Sequence, residues 1–312
     1  MVNCDFMNFA VFGRRAGIRF PEALLLLVLF FSWGCGIKTE VKVPVAPKIA
    51  AARTATLEEL LAALREAGNG IQSLRSSSVK VSLTTGKTES GRLQEYRSAP
   101  GYILLRRPDN LRLNIQNPIT KTTILALVSV GDGFEIWIPR DNKMFAGQNS
   151  AREFEVEGGG ETPAFTARPI HIFDAILPQT VSLEASGSRI FMTEEQDASA
   201  KYYVLTLLQE TGSPAMRALR RIWIERSELA VVKEETFNDT GQVSSIVTYA
   251  GQARYDSHSL PNFIRIDRPL DGYSLDMQFR DWVVNPDLPD ASFTLELPPE
   301  AQRVVLKEKG KD

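Results

Sequence analysis

Apolar and polar residues alternate over much of the chain after residue 78. The clearest run covers residues 273–280, and residues 79–84, 111–116 and 264–267 follow the same period of two. Because successive side chains of a strand point to opposite faces, this period predicts strands with one apolar and one polar face. Further candidate strands are 92–97, 101–106, 122–130, 134–138, 188–193, 201–208, 219–225, 230–237 and 243–250.

Turn-forming residues separate many of these runs. Asp132-Gly133 and Asp271-Gly272 are typical of tight hairpins, and residues 238–241 form a longer polar turn. Short strands joined by hairpins predict a mainly β (α+β) fold, in which about 10–11 strands form a curved, antiparallel, unclosed half-barrel. We expect one face of this sheet to be exposed to solvent.

Two helices are predicted beside the sheet. Thr56-Leu57-Glu58-Glu59 has the form of a capping box, and a short apolar helix is expected at 169–177, between two prolines. After the capping box, apolar residues follow at helical spacing, which predicts one apolar face. These residues are Leu57, Leu60, Leu61 and Leu64. We expect both helices to act as lids over the concave face of the sheet.

A broad, curved sheet covered by two modest helices is expected to enclose an apolar cavity. Acyl chains are the ligands that such a cavity suits. A fully packed core without a cavity is the alternative that the same pattern leaves open. From the phase of the alternation, the predicted lining residues are Val81, Leu83, Leu113, Ile115, Leu275, Met277 and Phe279.

The N-terminal region has the features of a secretory signal peptide, predicted at 1–34. Its apolar run, 23–34, is too short to cross a bilayer core of about 30 Å. Cys35 follows this run and is similar to the acylated cysteine of a bacterial lipobox, so we predict a lipidated N-terminus and tether at 35–55. Simple secretion, with Cys35 free or buried, is the alternative. Both Met1 and Met7 fit as the start.

Composition narrows the range of functions. Lys+Arg total 36 and Asp+Glu total 38, so no nucleic-acid partner is expected. Two histidines and two cysteines leave little for a metal site or a general base. No Gly-x-Ser-x-Gly, His-Glu-x-x-His, Walker or Cys-x-x-Cys motif occurs in the sequence. We therefore expect no enzymatic activity, no metal and no cofactor.

Several segments carry a family resemblance: 104–112 with an Arg-Pro turn, 130–139 with Asp-Gly, Trp and Pro, 219–225, the hairpin 237–248, and 290–295. Together they resemble the LolA/LolB superfamily of bacterial lipoprotein carriers and receptors. The likeness covers most of residues 56–306, which we predict as one domain, followed by a tail at 307–312. It implies an unclosed β-barrel whose helical lids cover a cavity for the acyl chains of lipoproteins or other lipids.

The resemblance also implies two site residues. Arg107, in the Arg-Pro turn, would hydrogen-bond the lid, and the alternative is a solvated charge at a strand end. Ile119, in a loop after the next strand, would face the membrane.

Two hypotheses for the function follow from these observations. In the first, a lipid-anchored monomer on the periplasmic face of the outer membrane binds acyl chains. It then acts in lipoprotein or lipid transfer to that membrane, together with a partner carrier protein. In the second, the same fold is an anchored, non-enzymatic interaction or sensor module.

Overall fold

A computed structural model of the chain describes residues 51–86, 94–151, 154–157, 167–177, 187–212 and 215–308. All of them belong to one compact unit, Pro47–Asp312. The predicted signal peptide, Cys35 and most of the predicted tether lie outside the described residues.

The described residues form two helices and sixteen strands. The helices are α1 (Leu57–Asn69) and α2 (Pro169–Ile176). The strands of the first half are β1 (Ser73–Thr85), β2 (Gln94–Arg106), β3 (Asn110–Gln116), β4 (Thr123–Val130), β5 (Gly133–Ile138), β6 (Lys143–Gln148) and β7 (Phe154–Val156). Those of the second half are β8 (Ser188–Gln196), β9 (Lys201–Gly212), β10 (Ala215–Glu225), β11 (Ala230–Phe237), β12 (Val243–Tyr255), β13 (His258–Arg268), β14 (Tyr273–Phe279), β15 (Val283–Val284) and β16 (Gln302–Glu308).

The strands form one sheet in the order β7-β16-β6-β5-β4-β3-β2-β1-β14-β13-β12-β11-β10-β9-β8, with β15 beside β1. Every pairing is antiparallel except that of β16 with β6, which is parallel. Strands β7 and β8 are the two edges of the described sheet, and no pairing joins them. The predicted fold class, an unclosed antiparallel half-barrel with few helices, is confirmed.

The described sheet has more strands than the ten or eleven expected from the sequence. Strands β6, β7 and β15 are short and carry no strict alternation. Strand β7 is not among the candidate strands of the sequence. Strand β16 continues past the predicted domain end at residue 306, because its backbone pairs with both β6 and β7.

Helix α1 begins at the predicted capping box. The Thr56 hydroxyl accepts a hydrogen bond from Glu59 N at 3.2 Å, and the Glu59 carboxylate accepts one from Thr56 N at 2.8 Å. These two contacts satisfy backbone donors that a helix start otherwise leaves unpaired. The helix ends at Asn69, where Gly70 N donates to Glu66 O at 3.0 Å.

Helix α2 begins at Pro169, a residue suited to the first helical position because its missing N–H needs no partner there. Ile172, Phe173, Ala175 and Ile176 of this helix are buried. The helix packs on β3, β4 and β13, so it covers the middle of the concave face.

The expectation that one face of the sheet is exposed to solvent holds for only part of the sheet. In β4, residues 125–129 are buried in succession. The segment 286–301 crosses the outer face here, so that Phe293 packs with Val128, and Leu295 packs with Trp137. A strand buried on both faces carries a continuous apolar run rather than an alternating one.

Candidate functional site

The α2 cluster is the larger apolar group on the concave face, and it contains all seven predicted lining residues. Their exposed fractions lie between 0% (Leu113) and 8% (Ile115). The register sets Val81 beside Met277 and Leu83 beside Leu275. Ile172 and Phe173 of α2 belong to the same cluster and are fully buried. These side chains therefore form one buried apolar group with α2, and their role as a cavity lining stays a prediction.

The α1 cluster is a second apolar group, in which α1 lies on strands β8–β10. Leu60 is 2% exposed and is the central residue of the helix side. The other three leucines of the predicted stripe are half-buried, as are Ile190 and Met192 on β8. The sheet side is completed by Tyr203, Leu205, Ile222 and Ile224. Helix α1 thus covers an apolar part of the sheet less completely than α2 does.

Arg107 joins the turn after β2 to the end of α1. Its Nε donates to Ile71 O at 3.0 Å, and its Nη2 donates to Gly68 O at 3.1 Å. The last carbonyls of a helix have no partner within the helix and carry partial negative charge, so a guanidinium there is favourable. Partial burial lowers the pKa of Arg107, and the nearby Asp174 carboxylate opposes that shift.

A charged cluster, defined here as Asp174, Arg220 and Glu234, brings together one residue each from α2, β10 and β11. The Arg220 Nη2 donates to Glu234 Oε2, and both side chains are largely buried. Glu234 faces the same side as its cross-strand partner Ile222, a member of the α1 cluster. Asp174 comes from α2 and faces this ion pair.

Asp174 is the one exposed residue among residues 172–176 of α2. Solvent reaches its side chain, yet protein encloses it enough that burial raises its pKa to about 6. The positive charges of Arg220 and Arg107 oppose this shift, and the negative charge of Glu234 adds to it. Within the described part of the chain, no hydrogen bond or ion pair is made by the Asp174 carboxylate.

Helix α2 is fastened to the sheet at both ends. Near its end, the buried Tyr249 hydroxyl donates to Ala175 O at 3.0 Å. Near its start, His171 Nδ1 and the Tyr273 hydroxyl share a hydrogen bond at 2.8 Å. Burial lowers the pKa of His171, and Arg268 and Arg168 lower it further, so the imidazole is neutral. The hydrogen bonds and the buried face together make α2 a fixed part of the core.

Ile119 lies in the turn between β3 and β4 and is 87% exposed. The turn is well ordered by Asn117, whose Oδ1 accepts hydrogen bonds from Ile119 N at 2.9 Å and Thr120 N at 3.0 Å. Leu270, also exposed, follows β13. Because β3 and β13 run in the same direction across the sheet, their following turns lie at the same end of it.

No helix in the described ranges is long and apolar enough to cross a membrane.

Comparison with known proteins found no matching family model and no matching curated protein. Among solved structures, a DUF1329 family protein from Desulfovibrio piger superposes with a TM-score of 0.51 at 12% identity, over 75% of this chain and 94% of that chain. A LolA superfamily protein from Nitrosomonas europaea gives a TM-score of 0.45 at 16% identity, over 78% of this chain and 99% of that one. An outer membrane lipoprotein-sorting protein domain from Vibrio parahaemolyticus gives 0.47 at 13% identity, over 75% and 94%.

The chain shares its fold with the DUF1329 family protein from Desulfovibrio piger.

Sequence reasoning missed the charged cluster. The signal was present, because Arg220 and Arg221 are adjacent on one strand and residues 233–235 are all charged. Strand alternation requires one member of each run to face inward. The register pairs Arg221 with Glu235 on the outer face and leaves Arg220 and Glu234 on the inner one.

Proposed function

We propose that this protein is a lipid-anchored, periplasm-facing carrier or receptor that binds acyl chains and acts in lipoprotein or lipid transfer to the outer membrane. The proposal rests mainly on one observation, the incompletely buried α1 cluster. Apolar side chains on both α1 and β8 are half-buried there, so a hydrocarbon chain that enters between them would bury surface that is now exposed. Each buried methylene contributes about 0.8 kcal/mol.

In this proposal α1 is the movable lid and α2 is a fixed part of the core. Helix α1 is held at its end by the side chain of Arg107. Before its start, the Tyr203 hydroxyl accepts a hydrogen bond from Ala55 N at 3.0 Å. The acyl chain would therefore lie between α1 and strands β8–β10. Its transfer is passive and uses no covalent chemistry, cofactor or metal.

Two neighbouring residues on β8 allow a matched test of acyl binding. Ile190 faces α1 on the concave side, and Phe191 faces outward and is 61% exposed. We expect Ile190→Asp to abolish the binding of a fluorescent fatty acid, because the substitution places a charge on the apolar surface. We expect Phe191→Asp to bind as the wild type does. If both variants keep fatty-acid binding, or if both lose it, the proposed location of the acyl chain is contradicted.

The N-terminal anchor is part of the proposal. Acylation of Cys35 would supply several hydrocarbon chains, and two or more chains hold a protein stably on a bilayer where one does not. Metabolic labelling with palmitate is expected to mark the protein and to fail in Cys35→Ala. Equal labelling of both proteins would exclude this site.

Contact with the membrane or with a partner carrier is assigned to the end of the sheet that bears Ile119. An isoleucine that is 87% exposed on an ordered turn is free to insert among lipid chains or to enter an apolar pocket of another protein. The acyl cargo would pass between the partners through that end of the half-barrel. The protein itself is proposed to be a monomer.

The burial of the whole α2 cluster favours a second candidate function, an anchored interaction or sensor module. In that case the purified chain would carry no lipid and would bind no fatty acid. Native mass spectrometry of the mature protein distinguishes the two candidates, since only the first predicts a mass increment that solvent extraction removes.

A further inference from the structure

Three buried polar atoms without a hydrogen-bond partner lie near one another on strands β8–β10. They are Ser188 Oγ, Arg217 Nε and Arg220 Nε, and none of them has a partner in the part of the chain that the structure describes. Buried polar atoms of native proteins nearly always make hydrogen bonds. Several exceptions on three neighbouring strands therefore indicate a place where a further group binds.

Strand β9 shows that two of these residues point to the concave face. Leu205 belongs to the α1 cluster, so Gln209, four positions later, points to the same face. The register sets Ser188 of β8 and Arg217 of β10 on either side of Gln209. The Arg217 Nη2 donates to Gln209 Oε1 at 2.8 Å. These three neighbours form a polar row on a face that carries the α1 cluster.

A β-bulge brings Arg220 to the same face. Arg217 and Arg220 are three positions apart, so in a regular strand their side chains would point to opposite faces. The register against β9 shifts between Ala218 and Arg220, and Leu219 is the extra residue. Arg220 therefore lies opposite Leu207 on the concave face, about 7 Å along the strand direction from the polar row.

The unpartnered atoms fit a ligand group that accepts hydrogen bonds. A guanidinium only donates, and a serine hydroxyl can donate as well. The charge of Arg220 is balanced by Glu234, which is largely buried, whereas Arg217 is paired with an Asp239 side chain that is 73% exposed. Water screens an ion pair with so exposed a carboxylate. Arg217 therefore retains positive charge for an anionic ligand.

The inward-facing residues of β9 become apolar along the strand. In order toward its start, they are Gln209, Leu207, Leu205 and Tyr203. Leu205 and Tyr203 belong to the α1 cluster, where the acyl chain is proposed to lie. The polar row and the α1 cluster are thus continuous, and a ligand that matches both is an amphiphile.

We propose that Ser188, Arg217 and Arg220 hold the anionic head group of an acyl lipid, either a carboxylate or a phosphate. This inference rests on the proposed function and adds to it the class of head group that is bound. Strand β8 begins at Ser188 and runs opposite to β3, so the polar row lies at the end of the sheet that bears Ile119. The head group would face that end, and the hydrocarbon chain would point inward.

The first test compares three probes with the same chain and different head groups: decanoate, decanol and decylamine. Binding to the mature protein is measured by calorimetry at pH 8. We expect the wild type to bind decanoate about tenfold more tightly than decanol, the factor typical of a hydrogen bond to a charged group. Decylamine should bind no more tightly than decanol.

Two arginines on one strand give a matched pair of variants. Arg217→Gln should reduce the preference for decanoate to within about twofold and leave the affinity for decanol unchanged. Arg221→Gln loses the same charge from the outer face, where Arg221 lies opposite Thr206 and its side chain is 40% exposed. This control should keep the preference of the wild type.

Ser188→Ala tests direct contact without changing any charge. Its hydroxyl has no partner among the described residues, so the substitution leaves no group of theirs unpaired. We expect the preference for decanoate to fall by about fivefold, the effect of one hydrogen bond, with the affinity for decanol unchanged. This variant decides the case if Arg217→Gln does not fold.

Decyl phosphate distinguishes the two sources of the head group in the wild type. Tighter binding of decyl phosphate than of decanoate assigns the site to a phospholipid phosphate. Tighter binding of decanoate assigns it to the carboxylate of a fatty acid.

The outcomes separate this inference from the proposed function. If the wild type binds decanol as tightly as decanoate, or if Arg217→Gln and Arg221→Gln change the preference equally, the head-group site is wrong and acyl binding stands. An unchanged preference in Ser188→Ala would likewise exclude Ser188 from the site. If no decyl probe binds the wild type, the proposed function itself is wrong, and the head-group site is wrong with it.

Discussion

Replacing Arg107 by alanine should release α1 from the sheet while leaving the rest of the fold intact. The change removes two hydrogen bonds from a guanidinium to the carbonyls of Gly68 and Ile71. A hydrogen bond to a charged group contributes about 1.5–3 kcal/mol, and at this half-buried position solvent screening reduces that to about 1–2 kcal/mol. Two such bonds give about 2–4 kcal/mol, which increases the population of the undocked helix by roughly 30- to 1000-fold.

Hydrogen exchange measured by mass spectrometry reports this population directly. The peptide that covers α1 should exchange at least about 30-fold faster in Arg107→Ala than in the wild type, and peptides from β3 and β4 should not change. Arg107→Lys should give an intermediate rate, since a single ammonium group does not reproduce the fork that reaches both carbonyls.

The adjacent Arg106 is a matched control. It also donates two hydrogen bonds, one to Leu288 O at 2.6 Å and one to Asp290 at 2.5 Å, but these lie on the outer face of the sheet. Arg106→Ala should therefore loosen the segment 286–301 and leave α1 unchanged. Equal exchange of α1 in Arg107→Ala and the wild type would refute the reasoning, and so would equal acceleration by the two alanine variants.

Three further predictions concern stability and surface contact. Burial raises the pKa of Asp174 to about 6, above its unfolded value, so this group stabilises the fold at acid pH and loses that contribution as pH rises through 6. In urea titrations at pH 7.5, Asp174→Asn should be more stable than the wild type by about 1–2 kcal/mol, a value that is reduced because solvent reaches the carboxyl. This gain in stability should disappear at pH 4. Leu60→Ala should lower the free energy of unfolding by about 2–4 kcal/mol because Leu60 is 2% exposed, whereas a loss under about 1 kcal/mol would show that α1 packs loosely. Ile119→Asp should leave the free energy of unfolding within about 0.5 kcal/mol of the wild-type value and should reduce sedimentation of the protein with phospholipid vesicles. Unchanged sedimentation would count against a membrane contact at Ile119.

The alternation of apolar and polar residues was sufficient to predict most of the long strands and the antiparallel half-barrel. The sequence predicted β4 as a strand at 122–130, but local periodicity did not reveal its outer cover, which comes from a segment more than a hundred residues away. It also failed for β16, whose pairing with β6 and β7 depends on chain segments that are distant in sequence. Both failures have the same cause, because local periodicity reports one buried face and carries no information about a distant partner.

The candidate site was predicted in part. The stripe of leucines on α1 and the position of Arg107 in its turn are readable from local sequence. Which strands α1 covers is not readable, because the helix is next to β1 in sequence and yet packs on β8–β10. The phase of alternation correctly identified inward-facing residues such as Met277, but it does not distinguish a residue that lines a cavity from one that packs against a helix.

The amino-acid sequence by itself determined the two helices, most of the long strands and which of their faces is apolar, since these properties depend on residues a few positions apart. Only the tertiary structure decided which apolar part of the sheet each helix covers. It packs α2 tightly into the middle of the sheet, leaves α1 as a thinner cover over β8–β10, and brings Asp174 toward Arg220 and Glu234. The physical reason is that packing and charge pairing depend on distances in space, and in a sheet of sixteen described strands those distances are set by strand order rather than by sequence separation.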